Sequence, residues 1–451
     1  MRIFILNPNF RTVKQPLMNV RERQPLSLAI IASILMEQGH EINFFDANVY
    51  SEPVEKTVAR IKRYQPEALI LTSSPIDRWE CPNLDLTAVF SLINLLDLPK
   101  IIITGSHGTV DPKWLFNKSR VDIIVQGEPE LIVKEVINCL VNRQPLNGVK
   151  GIAYREKDKI HYQDKAERIM NLDLLPLPAY QLLPMEKYHN SGYPDPFTII
   201  MTSRGCPFNC IFCLKAMLPQ YYVSRSLENV AKEIDLLVSK FKIKSIYFQD
   251  WEFMIDGKRV EQLCDLIIQA GYQIQWGVNA RANDIVRLQH LLPKMKSAGC
   301  KQINLGLESA DDQVLKNINK QLVQADFQQA IDLLKENCLD AGYYMLLNCP
   351  GESKITIKNT VNFLLKNDLQ VKKINFCIPY PSTELFSQLK QQLPDKNLSW
   401  DNIADYAGKV RTQMPPFLAK FYFRHYKYSQ KYGLIYLIKI GFWRNFFKHQ
   451  L

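Results

Sequence analysis

No run of 18 consecutive apolar residues occurs in the 451-residue chain, so no membrane-spanning helix is expected. The opening stretch, MRIFILNPNFRTVKQP, has one basic residue before a short apolar patch and no small-residue cleavage site. It reads as a first β-strand and not as a signal peptide. With no export signal the expected compartment is the cytoplasm, where thiols stay reduced. The ten cysteines are then expected to be ligands or buried small residues, not disulfide partners. There is no internal repeat, low-complexity tract or heptad array, which sets aside solenoids and coiled coils. No G-x-G-x-x-G follows the first strand-like segment, so a dinucleotide site has no support. Acidic residues are missing from 417–451, where Lys420, Arg424, Lys427, Lys431, Lys439, Arg444 and Lys448 lie. Seven of the eleven excess positive charges therefore fall in the last 35 residues.

What is present is ordinary for a folded globular chain: 47% apolar and 22% charged residues. The length is too great for one hydrophobic core, so two or three domains are expected. Through residue 145, short apolar runs at 2–7, 41–47, 68–74, 100–105 and 122–127 alternate with helical patterns at 26–39, 54–64, 84–96, 112–118 and 129–143. That alternation predicts an α/β domain, a Rossmann-like parallel sheet covered on both faces. Ligands bind such sheets at the carboxyl ends of the strands, here Ser73-Ser74, Gly105-Ser106-His107-Gly108 and Gly127-Glu128. Residues 146–196 read as a proline-rich linker containing a small hairpin at 151–162. From 197 to 385 six strand patterns (197–202, 245–250, 273–280, 302–308, 341–348, 373–379) alternate with six helical ones, which predicts a partial (β/α)6 barrel. The chemistry of a parallel barrel sits at the carboxyl ends of its strands. Residues 386–451 are expected to form a basic helical C-terminal region.

The sharpest local feature is SRGCPFNCIFC, where Cys206, Cys210 and Cys213 follow the first strand of the second series with C-x3-C-x2-C spacing. Iron–sulfur clusters and structural zinc sites normally take four protein ligands. Three thiolates can hold three irons of a cubane and leave the fourth open to a cosubstrate with N and O donors. Zinc completed by a remote histidine, or three thiols by chance, are the alternatives. Gly205 and Pro207 permit a tight turn, and Phe212 puts a ring beside the last thiol. The other seven cysteines are scattered on apolar stretches and read as buried hydrophobes.

C-x3-C-x2-C with an aromatic before its last cysteine, opening a partial barrel, resembles the radical S-adenosylmethionine (SAM) superfamily. The resemblance implies a 4Fe–4S cluster held by Cys206, Cys210 and Cys213. It also implies SAM chelated to the open iron and split by one electron to methionine and a 5′-deoxyadenosyl radical. YFQDWEF (247–253) is similar to the family's second-strand motif, although Trp251 follows Asp250 where a second acid is usual. NAR, ending at Arg281, is similar to the third-strand motif and NLGLES, with Glu308, to the fourth. NCPGES, with Glu352, is similar to the fifth-strand motif, with Asn348 in place of glycine. IPYPST is similar to the sixth, with Ser382 in place of glycine. The implied SAM contacts are Phe212, Asp250, Arg281, Glu308 and Glu352. Carboxylates suit the ammonium and ribose diol, and a guanidinium suits the carboxylate. Asp250, Arg281, Glu308 and Glu352 could each instead be an ordinary strand-end ion pair or cap, and Arg225 is a further residue within reach of the site or at a helix start.

Ahead of such a barrel the front region resembles a cobalamin-binding domain. QPLSLAIIASILMEQGHEINFFDAN (24–48), IIITGSHGTVDP (101–112) and DIIVQGEPE (122–130) match its first helix and second strand, its GGPH loop and its GEGE segment. Cobalamin is thereby expected on Ser73, Ser74, Trp79, Gly105, His107, Gly108, Gly127 and Glu128. The D-x-H-x-x-G of a cobalt-ligating histidine is absent, so the loop 73–82 is expected to cover the lower face, with Ile76 or Trp79 near the metal. The implied activity is methylation of an unactivated carbon, with methylcobalamin as donor and a second SAM restoring it. An oxidative cyclisation or rearrangement by the same machinery, and an iron–sulfur electron carrier, are the alternatives. The expected partners are a small-molecule or lipid-like substrate and an external one-electron donor of flavodoxin or ferredoxin type. The basic aromatic tail reads as a helical cap or as a peripheral contact with the inner face of a membrane. No nucleic-acid module accompanies its charge.

Overall fold

Runs of aliphatic residues without polar alternation form strands covered on both faces, and the front of the chain is built from them. The computed structural model describes residues 1–10, 23–157, 159–218, 220–407, 409 and 419–424. Most of the basic tail, from 425 on, lies outside the described residues. Strands β1 (Arg2–Asn7), β2 (Glu41–Asp46), β3 (Ala68–Thr72), β4 (Ile101–Thr104) and β5 (Ile123–Val125) pair in parallel in the order β2-β1-β3-β4-β5. The order reverses between β1 and β3, the switch point where an open α/β sheet leaves a crevice beyond its strand ends. The core joins Ile3, Ile5, Ile70, Ile102 and Ile123 to Leu28, Ile31 and Leu35 of the helix Leu26–Glu37 and to Val133 and Ile137 of the helix Pro129–Val141. Gly39, at φ +79°, closes the first of these helices and donates its N–H to Met36 O at 2.9 Å.

The hairpin expected inside the linker instead extends this sheet. Strand β6 (Ile152–Glu156) pairs antiparallel with β5, and β7 (Lys159–Tyr162) with β6. The reason is local: Ile152, Ala153 and Tyr154 are all apolar, and they bury on the free edge of β5. The proline-rich residues that follow are also held in place. Ile169, Leu172 and Leu175 pack on Ile30 and Ile34, and Ala179 donates its N–H to Ala29 O at 3.0 Å.

The second series comprises β8 (Phe197–Ile200), the short antiparallel pair β9 (Ser203–Arg204) and β10 (Val223–Ser224), then β11 (Ser245–Phe248), β12 (Gln275–Ala280), β13 (Cys300–Glu308), β14 (Asp340–Leu347) and β15 (Val371–Phe376). Apart from β9 and β10, these strands lie in one sheet in chain order, β8 to β15, with parallel pairing. This is the half-barrel expected from six successive strand–helix units. The helix expected at 285–298 is broken into Ala282–Arg287 and Leu292–Ser297, because Pro293 has no N–H to continue the first. A helix at Asp312–Asn317 was not signalled by periodicity; Asp311 caps it by accepting from Val314 N at 3.2 Å.

By packing, the chain divides into two compact units. One comprises Met1–Pro207, Cys213–Val278 and Pro293–Lys301. The other comprises Phe208–Phe212, Asn279–Leu292 and the residues from Gln302 onward. The division does not fall at the linker. Within the first unit Gln24 sits against β8: its side-chain amide donates to Phe197 O at 3.0 Å and accepts from Ile199 N at 3.2 Å, as a neighbouring strand would. Arg23 bonds Gln249 just beyond β11. Among the described residues no helix is long and apolar enough to cross a membrane.

Candidate functional site

At the carboxyl ends of β3 and β4 the first unit carries small polar residues. Gly105 has φ +107°, and a Cβ there would lie 2.7–2.8 Å from Ser73 Oγ, Ser74 N and Ser74 Oγ, so no side chain fits between the two strand ends. Ser106 N donates to Ser74 Oγ at 2.8 Å and Ser106 Oγ to Trp79 O at 2.9 Å. Trp79 is buried and donates Nε1–H to Ser74 O at 3.2 Å. His107 is fully buried between Ser73 Oγ (3.1 Å) and the Asn83 carbonyl (2.8 Å). Burial pushes its pKa down to about 4, so the ring is neutral at physiological pH. Gly108 opens a close approach: a Cβ would strike Ile124 and Leu115. Gly127, at φ +90°, donates its N–H to Thr109 Oγ1 at 3.0 Å. Two buried oxygens in this region, Ser27 Oγ and Asn83 Oδ1, have no partner among the described residues, and Ser27 lines a small cavity with Thr72, Ser74 and Thr104.

The strap that leads into the cysteine loop, Thr202–Ser203–Arg204, is also in the first unit and is held by three buried carboxylates. Asp250 accepts from Thr202 N (2.7 Å), Ser203 N (3.2 Å), Thr202 Oγ1 (2.5 Å) and Ser203 Oγ (2.8 Å). Burial raises its pKa, against the pull of those bonds. Asp250 was expected to face SAM; here those four bonds tie it to the strap. Arg204 donates from Nη1 to Glu128 Oε1 at 2.9 Å and to Glu130 Oε2 at 3.2 Å, and from Nη2 to Glu130 Oε1 at 2.7 Å. Burial works against its charge, but Glu130 and Glu128 outweigh it and the guanidinium titrates above its ordinary value. Glu128, expected at cobalamin, is thus spent on Arg204 and, through Oε2, on Ile169 N at 3.2 Å. Arg225 pairs with Glu233 and Asn229 beside the helix Leu227–Ser239.

The second unit holds Phe208–Phe212 of the cysteine loop. Arg281, which follows β12, stacks its guanidinium 3.8 Å from the centre of the Phe208 ring and directs Nη1 at Cys210 Sγ, 3.7 Å away. Its Nη2 donates to Lys320 O, and its Nε is buried without a partner among the described residues. Three consecutive residues clasp the loop and its arginine. Ile318 O accepts from Ile211 N at 3.1 Å, Asn319 Nδ2 donates to Asn209 O at 2.8 Å, and Lys320 O accepts from Arg281. The buried Lys320 ammonium lies 3.1 Å from Glu308 Oε1. A Cβ on Gly306 would collide with both groups, so the glycine makes room for the pair. Glu308 ends β13 at φ +58°, just past a bulge, a left-handed conformation that costs a non-glycine residue about 1–2 kcal/mol. Beyond β14, Glu352 accepts from Asn348 N at 2.6 Å, and burial pushes its pKa up to about 8, so it is mostly protonated at neutral pH. Asn348 (φ +63°) and Ser382 (φ +75°) stand where the resembled motifs have glycine, and their backbones keep the left-handed conformation glycine favours.

All three cysteines of the loop are partly exposed and in no disulfide, and Phe212 is half-buried. Among the described residues no three His, Cys, Asp or Glu side chains are placed to hold one metal ion. Sequence reasoning missed Arg204, Glu130, Arg168 and Lys320. Arg204 lies inside the quoted SRGC string, and its position two residues before Cys206 was the available signal. A groove of about 1170 Å³ on the helical side of the second unit, lined by Asp312, Gln328, Asp332 and Lys366, contains none of the motif residues.

Comparison with known proteins yields two family matches: residues 200–364 match the radical SAM superfamily and residues 22–137 the B12 binding domain. An uncharacterized methyltransferase of Pyrococcus horikoshii is 29% identical over 364 residues, 80% of this chain and 77% of that protein. The anaerobic magnesium-protoporphyrin IX monomethyl ester cyclase of Rubrivivax gelatinosus is 26% identical over 86% of this chain and 70% of its own length. Among solved structures, the radical SAM methyltransferase TsrM of Kitasatospora setae, with cobalamin and a [4Fe-4S] cluster bound, shares the fold. Its TM-score is 0.68 at 16% identity, over 87% of this chain and 75% of that one.

Proposed function

The chain belongs to the radical SAM superfamily and carries a B12-binding domain ahead of the radical SAM one, and on that premise we propose that it is a cobalamin-dependent methyltransferase acting on an unactivated carbon. Its cofactors are a 4Fe–4S cluster, SAM and cobalamin. The observation that carries the reading is the three-thiol loop Cys206–Cys213, opening a half-barrel that follows a parallel sheet with small polar residues at its strand ends.

The residues present fit these groups. Three partly exposed thiols suit a cubane with one iron left open. The spare buried Nε of Arg281, beside Cys210, is a donor suited to an anion. The unpartnered Ser27 Oγ and Asn83 Oδ1 suit a ligand bearing amides and hydroxyls. When bound, the cluster and SAM supply the one-electron cleavage that makes a carbon radical, and cobalamin supplies the methyl carrier. Cys206, Cys210 and Cys213 are the cluster ligands. Arg281 orients the loop through Phe208 and Cys210. Glu308, held by Lys320, offers a fixed carboxylate for a diol or ammonium. Glu352, protonated, donates a hydrogen bond where an ionised carboxylate could only accept. His107 is held through both ring nitrogens by Ser73 and Asn83, which argues against a role as cobalt ligand. The electron donor is of flavodoxin or ferredoxin type. The proposed location is cytoplasmic; a peripheral contact of residues 417–451 with the inner membrane face is proposed from their basic charge alone. The substrate is a small molecule or lipid-like.

The test is anaerobic reconstitution with iron and sulfide, then dithionite and SAM. The expected product is 5′-deoxyadenosine, with deuterium from methyl-labelled SAM entering bound cobalamin. An intact cluster that yields no 5′-deoxyadenosine would point to an electron carrier and overturn the proposal. Replacement of Cys213 by alanine should abolish both the brown chromophore and SAM cleavage.

A further inference from the structure

Glu128, which the cobalamin reading would place at the corrin, reaches elsewhere, and Glu130 reaches the same partner. Glu128 and Glu130 follow β5, and both are buried. Together they receive three hydrogen bonds from Arg204, whose own side chain is 3% exposed. Glu130 takes both prongs of the guanidinium, a planar two-point geometry that fixes direction as well as distance. The Trp79 ring, from the loop beyond β3, lies 5.9 Å from the same guanidinium.

The backbone of Arg204 is fixed as well. It pairs with Val223 across β9 and β10, and its carbonyl accepts from Arg168 Nη2 at 3.2 Å. Arg168 also bonds Tyr221 O at 3.0 Å. The next residue, Gly205, has φ +84°, and a Cβ on it would overlap the Tyr221 carbonyl. Cys206 follows directly. The direction in which the first thiol leaves the strand is therefore set two residues upstream, by an arginine whose charge is balanced from a different sheet.

We propose that Glu128 and Glu130 are positioning residues of the iron–sulfur site: by seating Arg204 they aim the start of the cysteine loop, so the front domain completes the cluster site whether or not cobalamin is bound. The inference rests on the reading of Cys206 as a cluster ligand. It separates two jobs on the front domain, cofactor binding by the ends of β3 and β4 and loop setting by the segment after β5.

The experiment compares full-length wild type with Glu130→Gln, Arg204→Met and Arg204→Lys, all prepared without cobalamin. In the iron-free proteins, amide hydrogen exchange is read over 203–207. Glu130→Gln and Arg204→Met should exchange at least tenfold faster there, while β1, β3 and β4 keep wild-type protection, which shows that the front sheet is folded. Arg204→Lys keeps the charge but loses the fork and should fall between. After reconstitution, iron per chain should drop at least twofold in Glu130→Gln. In Arg204→Lys, where more cluster survives, the midpoint potential and electron-paramagnetic signal of the reduced cluster should move. Wild-type exchange over 203–207 in Glu130→Gln overturns the proposal, as does wild-type iron content with an unmoved potential. Failure of wild type itself to take up iron would sink the cluster reading, while the exchange measurement would still decide whether the glutamates set the loop.

Discussion

At the scale of single residues, two buried titrating groups make opposite demands. Glu352 has its pKa raised by burial from 4.5 to about 8. The folded state then binds that proton more tightly than the unfolded chain. Its contribution is complete below about pH 4.5 and fades as pH climbs toward 8, by on the order of 4 kcal/mol in full. His107, lowered by burial from 6.5 to about 4, behaves in reverse: its contribution is present above pH 6.5 and is lost as pH falls through 4. Thermal melting of the cofactor-free protein should therefore decline from pH 6 to 9, and Glu352→Gln should flatten that decline while leaving the acid side unchanged. If cobalamin binds as proposed, the cob(II)alamin form should show no nitrogen splitting from a protein ligand in its paramagnetic spectrum. Such splitting, removed by His107→Gln, would mean the imidazole leaves its bonds to Ser73 and Asn83.

Glycine and its substitutes decide matters at the scale of elements. Gly205→Ala would force a methyl into the Tyr221 carbonyl at a positive φ. It should cost about 2–4 kcal/mol and strip the cluster, read as a lower melting temperature with iron loss. Ser382 runs the other way: it is exposed at φ +75°, so Ser382→Gly should leave stability unchanged or raise it by up to about 1 kcal/mol, read by the same melt. The elements themselves were largely legible in the sequence. The strands β1 to β5 and β8, with β11 to β15, fall within a few residues of the apolar runs that predicted them, because a buried parallel strand has no polar alternation to confuse it. The β6–β7 hairpin was also seen, but its docking on β5 was not, since pairing partners leave no mark on local periodicity. The cysteine triplet was legible for the same reason as the strands, being a short-range pattern. The seat of Arg204 was not, because Glu128 and Glu130 lie 76 and 74 residues away and a lone charge in a strand carries no period. Asp250 and Glu128 were singled out as strand-terminal, and both are buried, but a motif position does not reveal which neighbour takes the carboxylate.

On the scale of the whole molecule, the front sheet and the strands β8 and β11 are stitched within one packed unit by Gln24, the linker and Arg204. The bonds at the ends of β3 and β4 run among Ser73, Ser74, Ser106, His107 and the Trp79–Asn83 loop. Cys213→Ala protein, lacking its cluster, should therefore still retain cobalamin through gel filtration, with affinity within about tenfold of wild type. Loss of both cofactors together in that variant would mean the two sites fold as one.

The acidic pair after β5 also limits how such a protein can be taken apart. A barrel transplanted onto a foreign N-terminal module would arrive with an unbalanced cation beside its first thiol, unless the donor module brought two carboxylates to the same spot. Chimeras that ignore this should emerge from the cell colourless, however faithfully the cysteine string itself is copied.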